Sequence, residues 1–390
     1  MHIAFRVDGS LHIGLGHIMR CLTLAKRCMD EHDVTFICSE LPDHVESLLK
    51  DSVNTLILLD ESQWLTCNDK LYEIESAENV NKSTVHSSMV LSKQAQQKQA
   101  RNCIAKLQIQ SNTPPDILIV DHYQLSSPFC TAMRDYCKHI VVIDDLANRS
   151  HDCDVLLDQN LFENTNTRYK GLVSDNAVLL LGPEFAVLKE AFYQASTEIT
   201  VKPTLQSEQD IPLHKSNHIL VCFGGSDPND VTRKVVAELS NLKSYSFTAD
   251  IVVGGAYAHV DALTTLVAKH NHMTLHHNTP SMPLLMQKAS FMIGAGGSMH
   301  WERAQMNLAG LIITIADNQI ETTRYLHQRN CCMWLGESEK VTSEEIRKAI
   351  EFALNSPEKI SDIANNARSL LNHEQCSSYV MDTIINAITR

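Results

Sequence analysis

No part of this 390-residue chain carries the ~20 consecutive apolar residues that a membrane-spanning helix needs, so a membrane-embedded enzyme or a membrane partner is not expected. Basic charge is also scarce. Lysine and arginine number 33 against 46 acidic residues, and the formal net charge of -13 disfavours nonspecific attraction to a nucleic-acid backbone. A local nest of backbone N–H groups needs little net charge, so an anionic ligand is still allowed. Cysteine pairing signatures are missing. Cys331 and Cys332 are adjacent rather than CxxC, and Cys21, Cys28, Cys38 and Cys222 fall in apolar segments, where they read as buried free thiols of a reducing cytoplasm. There is no GxxxxGK[ST] and no HExxH, and the first glycine turn, DGSLHIGLGH, is not a compact GxGxxG. No acid ends the following strand, VTFIC. A P-loop nucleotidase, a zinc hydrolase and a nicotinamide enzyme therefore each lack their signature, and neither a cofactor nor a metal is expected. The chain opens directly on a strand, and no signal peptide is expected.

What is present is an alternation. IAFRV, VTFIC, LIVD, IVVIDD and VLLDQ are short apolar runs separated by helix-like stretches, the grammar of a parallel sheet covered on both faces. The stripe Ile18, Leu22, Ala25 and Met29 has helical spacing and should pack on that sheet. HILVC, TADIVV, MTLHH, SFMIG and LIITI restart the pattern. The length suits two domains of roughly 150 to 200 residues. We expect an α/β domain over residues 1–200, a second over 215–376, and a C-terminal helix over 377–390 packing back across them. The polar stretch 62–112 reads as a surface insertion ending in a helix. The stretch 196–217, interrupted by Pro203 and Pro212, reads as a linker.

Two glycine-rich turns stand out. GLGHIMR places Gly14, Gly16 and His17 where a strand hands over to a helix, and a neutral imidazole there can take a proton from water. The same histidine could equally cap the helix or bind phosphate. GAGGSMHWE puts Gly296, Gly297 and Ser298 before a helix bearing Glu302. Amides and a hydroxyl there suit a diphosphate, and a carboxylate one turn on could accept from two ribose hydroxyls or simply face solvent. GGSDPND, with Gly224, Gly225 and Ser226, could cradle phosphate or be a turn and helix cap. Asp121, His122 and Tyr123, and the pair Asp144 and Asp145, follow strand ends, where carboxylates orient bases, bind sugars or cap helices. Neighbouring His276 and His277 lack a metal-binding context. Asp8 is a candidate for orienting His17 or the attacking water.

Taken together, FRVDGSLHIGLGHIMRCLTLA, IVDHY, VVIDDLANRSHDCDVLLDQNL, FGGSDPND and GAGGSMHWERAQMNLAGLIITIADNQ run in order from residue 3 to about residue 335. They resemble the UDP-sugar hydrolases of pseudaminic acid biosynthesis, which remove UDP from UDP-2,4-diacetamido-2,4,6-trideoxy-β-L-altropyranose. The resemblance implies two Rossmann-like α/β domains facing across a cleft, the glycosyltransferase-B-like architecture of the MurG group. It implies a metal-independent, inverting attack of water on the anomeric carbon, with His17 as base and UDP leaving. Ser298 is expected at the phosphate and Glu302 at the ribose. Tyr123 falls on a further motif position and is expected in the catalytic set with His17, and Arg20, Asn160, Asn318 and Gln319 fall on others and are expected to bind substrate. A glycosyltransferase, or a hydrolase of another UDP-sugar, is the alternative. A cytoplasmic monomer whose partner is its small-molecule substrate follows from the same reading. The chain departs from the family pattern at Met299 and His300 after the glycine-rich serine, and at Leu308, Ala309 and Gly310, where Leu-Pro is usual.

Overall fold

Strand runs rich in Val, Ile and Leu are buried on both faces only when helices cover both sides, and this chain builds two such sheets. The computed structural model describes residues 1–9, 15–60, 90–111, 113–201, 217–371 and 378–389. The chain divides into two units. The first comprises Met1–Gln159, Asn164–Val187 and Ser377–Arg390, and the second Asn160–Glu163 and Leu188–Cys376.

In the first unit, β1 (His2–Val7), β2 (Asp33–Cys38), β3 (Thr55–Leu58), β4 (Ile117–Asp121), β5 (His139–Ile143), β6 (Val155–Asp158) and β7 (Val178–Leu181) form a parallel sheet of order 3-2-1-4-5-6-7. Its helices include α1 (Gly16–Ala25), α2 (Asp43–Ser52), α3 (Lys93–Gln110) and α4 (Ser127–Met133). Period-two alternation sorts the side chains between the two faces. Ile3, Phe5, Val7, Ile117, Ile119, Val141 and Ile143 pack with Ile18, Leu22 and Ala25 of α1. Ala4, Leu118, Val120, Ile140 and Val142 pack with Cys103 of α3 and Phe129 of α4. Each large apolar side chain so buried contributes roughly 1.5–3 kcal/mol, which is what holds α1 in place. Gly9 is required beneath it, because a Cβ there would lie 2.7 Å from Ile18.

The second unit starts at α5 (Glu190–Val201). Its strands are β8 (His218–Cys222), β9 (Thr248–Val253), β10 (Met273–His277), β11 (Phe291–Gly294), β12 (Ala309–Thr314) and β13 (Met333–Glu337), again parallel, in the order 10-9-8-11-12-13. Between and after them come α6 (Val231–Asn241), α7 (Val260–Val267), α8 (Met282–Lys288), α9 (Met299–Gln305), α10 (Ile320–Gln328), α11 (Ser343–Asn355) and α12 (Pro357–Arg368). Phe192 and Ala195 of α5 pack against Leu220, Met286 and Met292, so the first unit ends at Val187, ahead of the boundary at residue 200 expected from sequence. The last helix, α13 (Tyr379–Thr389), puts Val380, Met381 and Ile384 into the core of the first unit. Each sheet reverses its strand order once, between β1 and β4 and between β8 and β11, and ligands of open α/β sheets collect outside the carboxyl ends at such points.

Candidate active site

The first reversal point gathers the residues around His17. His17 is 8% exposed, and its Nδ1 lies 2.5 Å from Asp121 Oδ1 at the end of β4. Arg20, one turn along α1, holds the same carboxylate from two sides, Nε to Oδ2 at 2.9 Å and Nη2 to Oδ1 at 2.8 Å. Burial opposes ionisation of Asp121, but the charges and hydrogen bonds of Arg20 and His17 outweigh it and hold the carboxyl well below the usual range. An ionised carboxylate only accepts, so in the neutral ring Nδ1 carries the hydrogen and Nε2 keeps its lone pair. Nε2 has no hydrogen-bond partner among the described residues. Tyr123 meets the imidazole edge-on, ring centroids 4.4 Å apart, and donates from its hydroxyl to Asp145 at 3.2 Å. Burial, reinforced by the Asp145 charge, pushes the phenol well above its ordinary value, so it stays a donor.

Asp8 does not orient His17, which corrects the expectation from sequence. One residue past β1, its position continues the parity of Ala4 and Arg6, which lie on the side of Cys103 in α3 and not of α1. Its carboxylate accepts from Arg6 at 2.6 and 2.9 Å, from the Ser39 amide at 2.6 Å and from His122 Nε2 at 2.9 Å. His122 Nδ1 accepts from the Gln124 amide at 3.1 Å, which fixes the hydrogen on Nε2, and burial lowers its pKa. Asp144 belongs to the same face, with Arg149 Nη1 at 2.8 Å and the Tyr169 hydroxyl at 3.1 Å. Alternation thus splits the strand-end carboxylates. Asp121 and Asp145 go to the side of His17; Asp8 and Asp144 go to a buried ionic layer behind it. Sequence reasoning noted Asp121 as a strand-end carboxylate without linking it to His17. The link needs the pairing of β1 with β4, made across more than a hundred residues.

Gly14 lies outside the described residues. Gly16 opens α1, and a Cβ there would meet nothing within 4 Å among the described residues, so none of them demands glycine.

The second reversal point brings both remaining glycine turns together. Gly224 takes φ 87°, and Gly225 lies against Gly254, where a Cβ would come within 2.5 Å of the Gly225 backbone. Asp227 caps α6, accepting from the amides of Val231 at 3.0 Å and Thr232 at 2.7 Å, while Ser226 is half-buried beside it. In the other turn Gly297 takes φ 76°. The Gly296 amide donates to Gln319 Oε1 at 3.3 Å, and that oxygen also accepts from Ile315 at 3.1 Å. Gln319 therefore fastens the turn from within the unit, and the amides without an acceptor among the described residues are those of Gly297, Ser298 and Met299. The Ser298 hydroxyl and the Glu302 carboxylate likewise have no hydrogen-bond partner among them. Burial raises the pKa of Glu302, the charge of Lys189 opposes the rise, and the carboxylate is close enough to β8 to act on Cys222. Asn318 is exposed in the turn before α10, and Asn160 is half-buried two residues past β6. No group of three or more His, Cys, Asp or Glu side chains among the described residues is arranged to hold a metal ion. No helix among them is long and apolar enough to cross a membrane.

No family model matches the chain. The UDP-2,4-diacetamido-2,4,6-trideoxy-beta-L-altropyranose hydrolase of Campylobacter jejuni is 23% identical over 329 residues, covering 84% of this chain and 97% of that protein. An uncharacterized protein of Methanocaldococcus jannaschii is 22% identical over 331 residues, 83% of this chain, which spans only 57% of that relative's length. Among solved structures, MurG of Acinetobacter baumannii superposes with a TM-score of 0.62 at 13% identity, covering 99% of each chain. The chain has the fold of two parallel-sheet, Rossmann-like domains of the glycosyltransferase-B type.

Proposed function

We propose that this protein is a UDP-sugar hydrolase that splits the anomeric C–O bond, with a UDP-2,4-diacetamido-2,4,6-trideoxyhexose of the altropyranose type as substrate. The observation that carries the reading is the setting of His17. Nδ1 of His17 lies 2.5 Å from the Asp121 carboxylate, which can only accept, and Nε2, whose lone pair is then the one available in the neutral ring, has no partner among the described residues beside a sheet reversal point. The 23% identical relative from Campylobacter jejuni supplies the substrate class.

In the proposed reaction Nε2 takes a proton from water as the water oxygen forms its bond to C1 from the face opposite the leaving group. The C1–O bond to the β-phosphate breaks, its electron pair leaves with UDP, and the sugar carries the new hydroxyl with inverted configuration. Asp121 stabilises the imidazolium that forms and keeps the ring in the productive tautomer. UDP is a good leaving group, so positioning and charge stabilisation outweigh strong acid catalysis. The amides of Gly297, Ser298 and Met299, the Ser298 hydroxyl and the turn at Gly224, Gly225 and Ser226 meet the diphosphate, while Glu302 accepts from the ribose hydroxyls. Arg20 positions Asp121, and Tyr123 supports the ring; Asn160 and Asn318 are assigned to substrate contact. No step needs a cofactor.

The test is a product-resolved assay in ¹⁸O-labelled water, without any acceptor, across a panel of UDP-diacetamidohexoses. The expected products are UDP free of label and a sugar labelled at the C1 hydroxyl. Label in the UDP phosphate would put the cleavage at phosphorus. Turnover only with an added sugar or lipid acceptor would make the protein a transferase.

A further inference from the structure

The second unit buries an arginine with no counter-ion among the described residues. Arg303 in α9 is 1% exposed, and its Nε and Nη1 have no hydrogen-bond partner among the described residues. No carboxylate pairs with it among the described residues; the neighbours that act on it electrostatically are the thiols of Cys331 and Cys332. The fit is close, since a Cβ on Gly310 would fall 2.7 Å from the guanidinium carbon, which gives a reason for glycine at that departure from the family pattern. Such burial costs stability unless an opposite charge compensates it.

One arginine nitrogen is used. Nη2 donates to His300 Nδ1 at 2.5 Å, so the hydrogen of that imidazole sits on Nε2 and donates to Thr323 Oγ1 at 2.9 Å. Burial, then the Arg303 charge, push the His300 pKa far down, so the ring is a neutral conductor of polarisation and not a second cation. The relay ends against the glycine turn: a Cβ on Gly296 would lie 2.8 Å from Thr323 Oγ1 and 3.3 Å from His300 Nε2.

We propose that Arg303, acting through His300 and Thr323, is a positioning residue for the diphosphate, the buried cation whose missing counter-ion is the ligand held at Gly297, Ser298 and Met299. This rests on the nucleotide reading above. The charge acts from behind the turn, shielded from solvent, so it strengthens the grip on the phosphates and leaves the nucleoside alone.

Calorimetric titration of UDP and of uridine into wild type, Arg303→Met, Arg303→Lys and His300→Gln tests it. Wild type should bind UDP far more tightly than uridine. Arg303→Met should lose about tenfold in UDP affinity, with uridine affinity unchanged and a ligand-free unfolding temperature no lower than wild type, because an uncompensated charge has gone. Arg303→Lys should recover part of the loss. An unchanged UDP-to-uridine ratio in folded Arg303→Met overturns the inference. If that variant does not fold, an unchanged ratio in His300→Gln overturns it, and a reduced one upholds it. Equal affinity of wild type for UDP and uridine overturns the nucleotide reading, and this inference with it.

Discussion

At the scale of single residues, two aspartates with similar sequence settings do different work. Asp121→Asn replaces an obligate acceptor by a carboxamide that can turn its NH₂ toward Nδ1 and force the hydrogen onto Nε2, the wrong tautomer for a base. Turnover should fall by about 10²–10⁴ with UDP affinity retained, which steady-state kinetics and UDP titration of the same sample would show. Asp8→Asn should act on stability instead, because it strands the guanidinium of Arg6 inside the sheet at a cost of about 3–5 kcal/mol, read as a lowered denaturant midpoint. Both carboxyls have folded pKa values depressed by their arginines. Their stabilising contribution is complete above the ordinary carboxyl pKa of about 4 and is lost as the pH falls through the depressed values, so acid unfolding of the wild type should set in below about pH 4. His17 and Glu302 were legible in the sequence because glycine turns flag them. Arg303 was not, because an arginine on a short helix reads as a solvated charge, and only the tertiary packing shows it enclosed.

At the scale of elements, the strand period does the sorting that composition cannot. Once β1 and β4 are known to be neighbours, the parity of Ile117, Ile119 and Asp121 sends that carboxylate toward α1, and the parity of Arg6 sends Asp8 away. The apolar runs from β1 to β12 were readable wherever they were long and bounded by turn residues. The short strands β3 and β7, which carry exposed Leu58, Val178 and Leu179, and the half-buried β13, lacked that contrast. The helix of the polar stretch near residue 100 is α3, whose buried Ala95, Ala100, Cys103 and Leu107 hide among glutamines and lysines. Packing of elements also sets the shape of the Gly224 turn. Gly254→Ala would push a Cβ into the Gly225 backbone, a contact that only a backbone shift relieves, at about 1–3 kcal/mol. UDP affinity should drop together with the unfolding temperature, whereas an alanine at Gly16, where space is open, should leave the unfolding temperature unchanged; differential scanning fluorimetry with and without UDP separates the two.

At the scale of the whole molecule, the same strand order is used twice for different chemistry. The reversal point of the first sheet presents a histidine with a fixed tautomer and a layer of paired carboxylates behind it. That of the second presents amides and a glutamate without a hydrogen-bond partner among the described residues, and a buried cation. The repeated grammar of strand, glycine turn and helix was visible in the sequence, and so was the restart at β8; of the linker expected over 196–217, residues 196–201 instead close α5 and 202–216 lie outside the described residues. The placement of α5 was not, because its apolar residues would suit either sheet. The account assigns water activation to the first unit and nucleotide recognition to the second, and these functions should be separable by mutation. The most direct measurement is the rate of UDP release from the UDP-diacetamido sugar by His17→Asn, taken beside its affinity for UDP. The account predicts release slowed by about 10²–10⁴ with UDP affinity at the wild-type level. Release at the wild-type rate would contradict it.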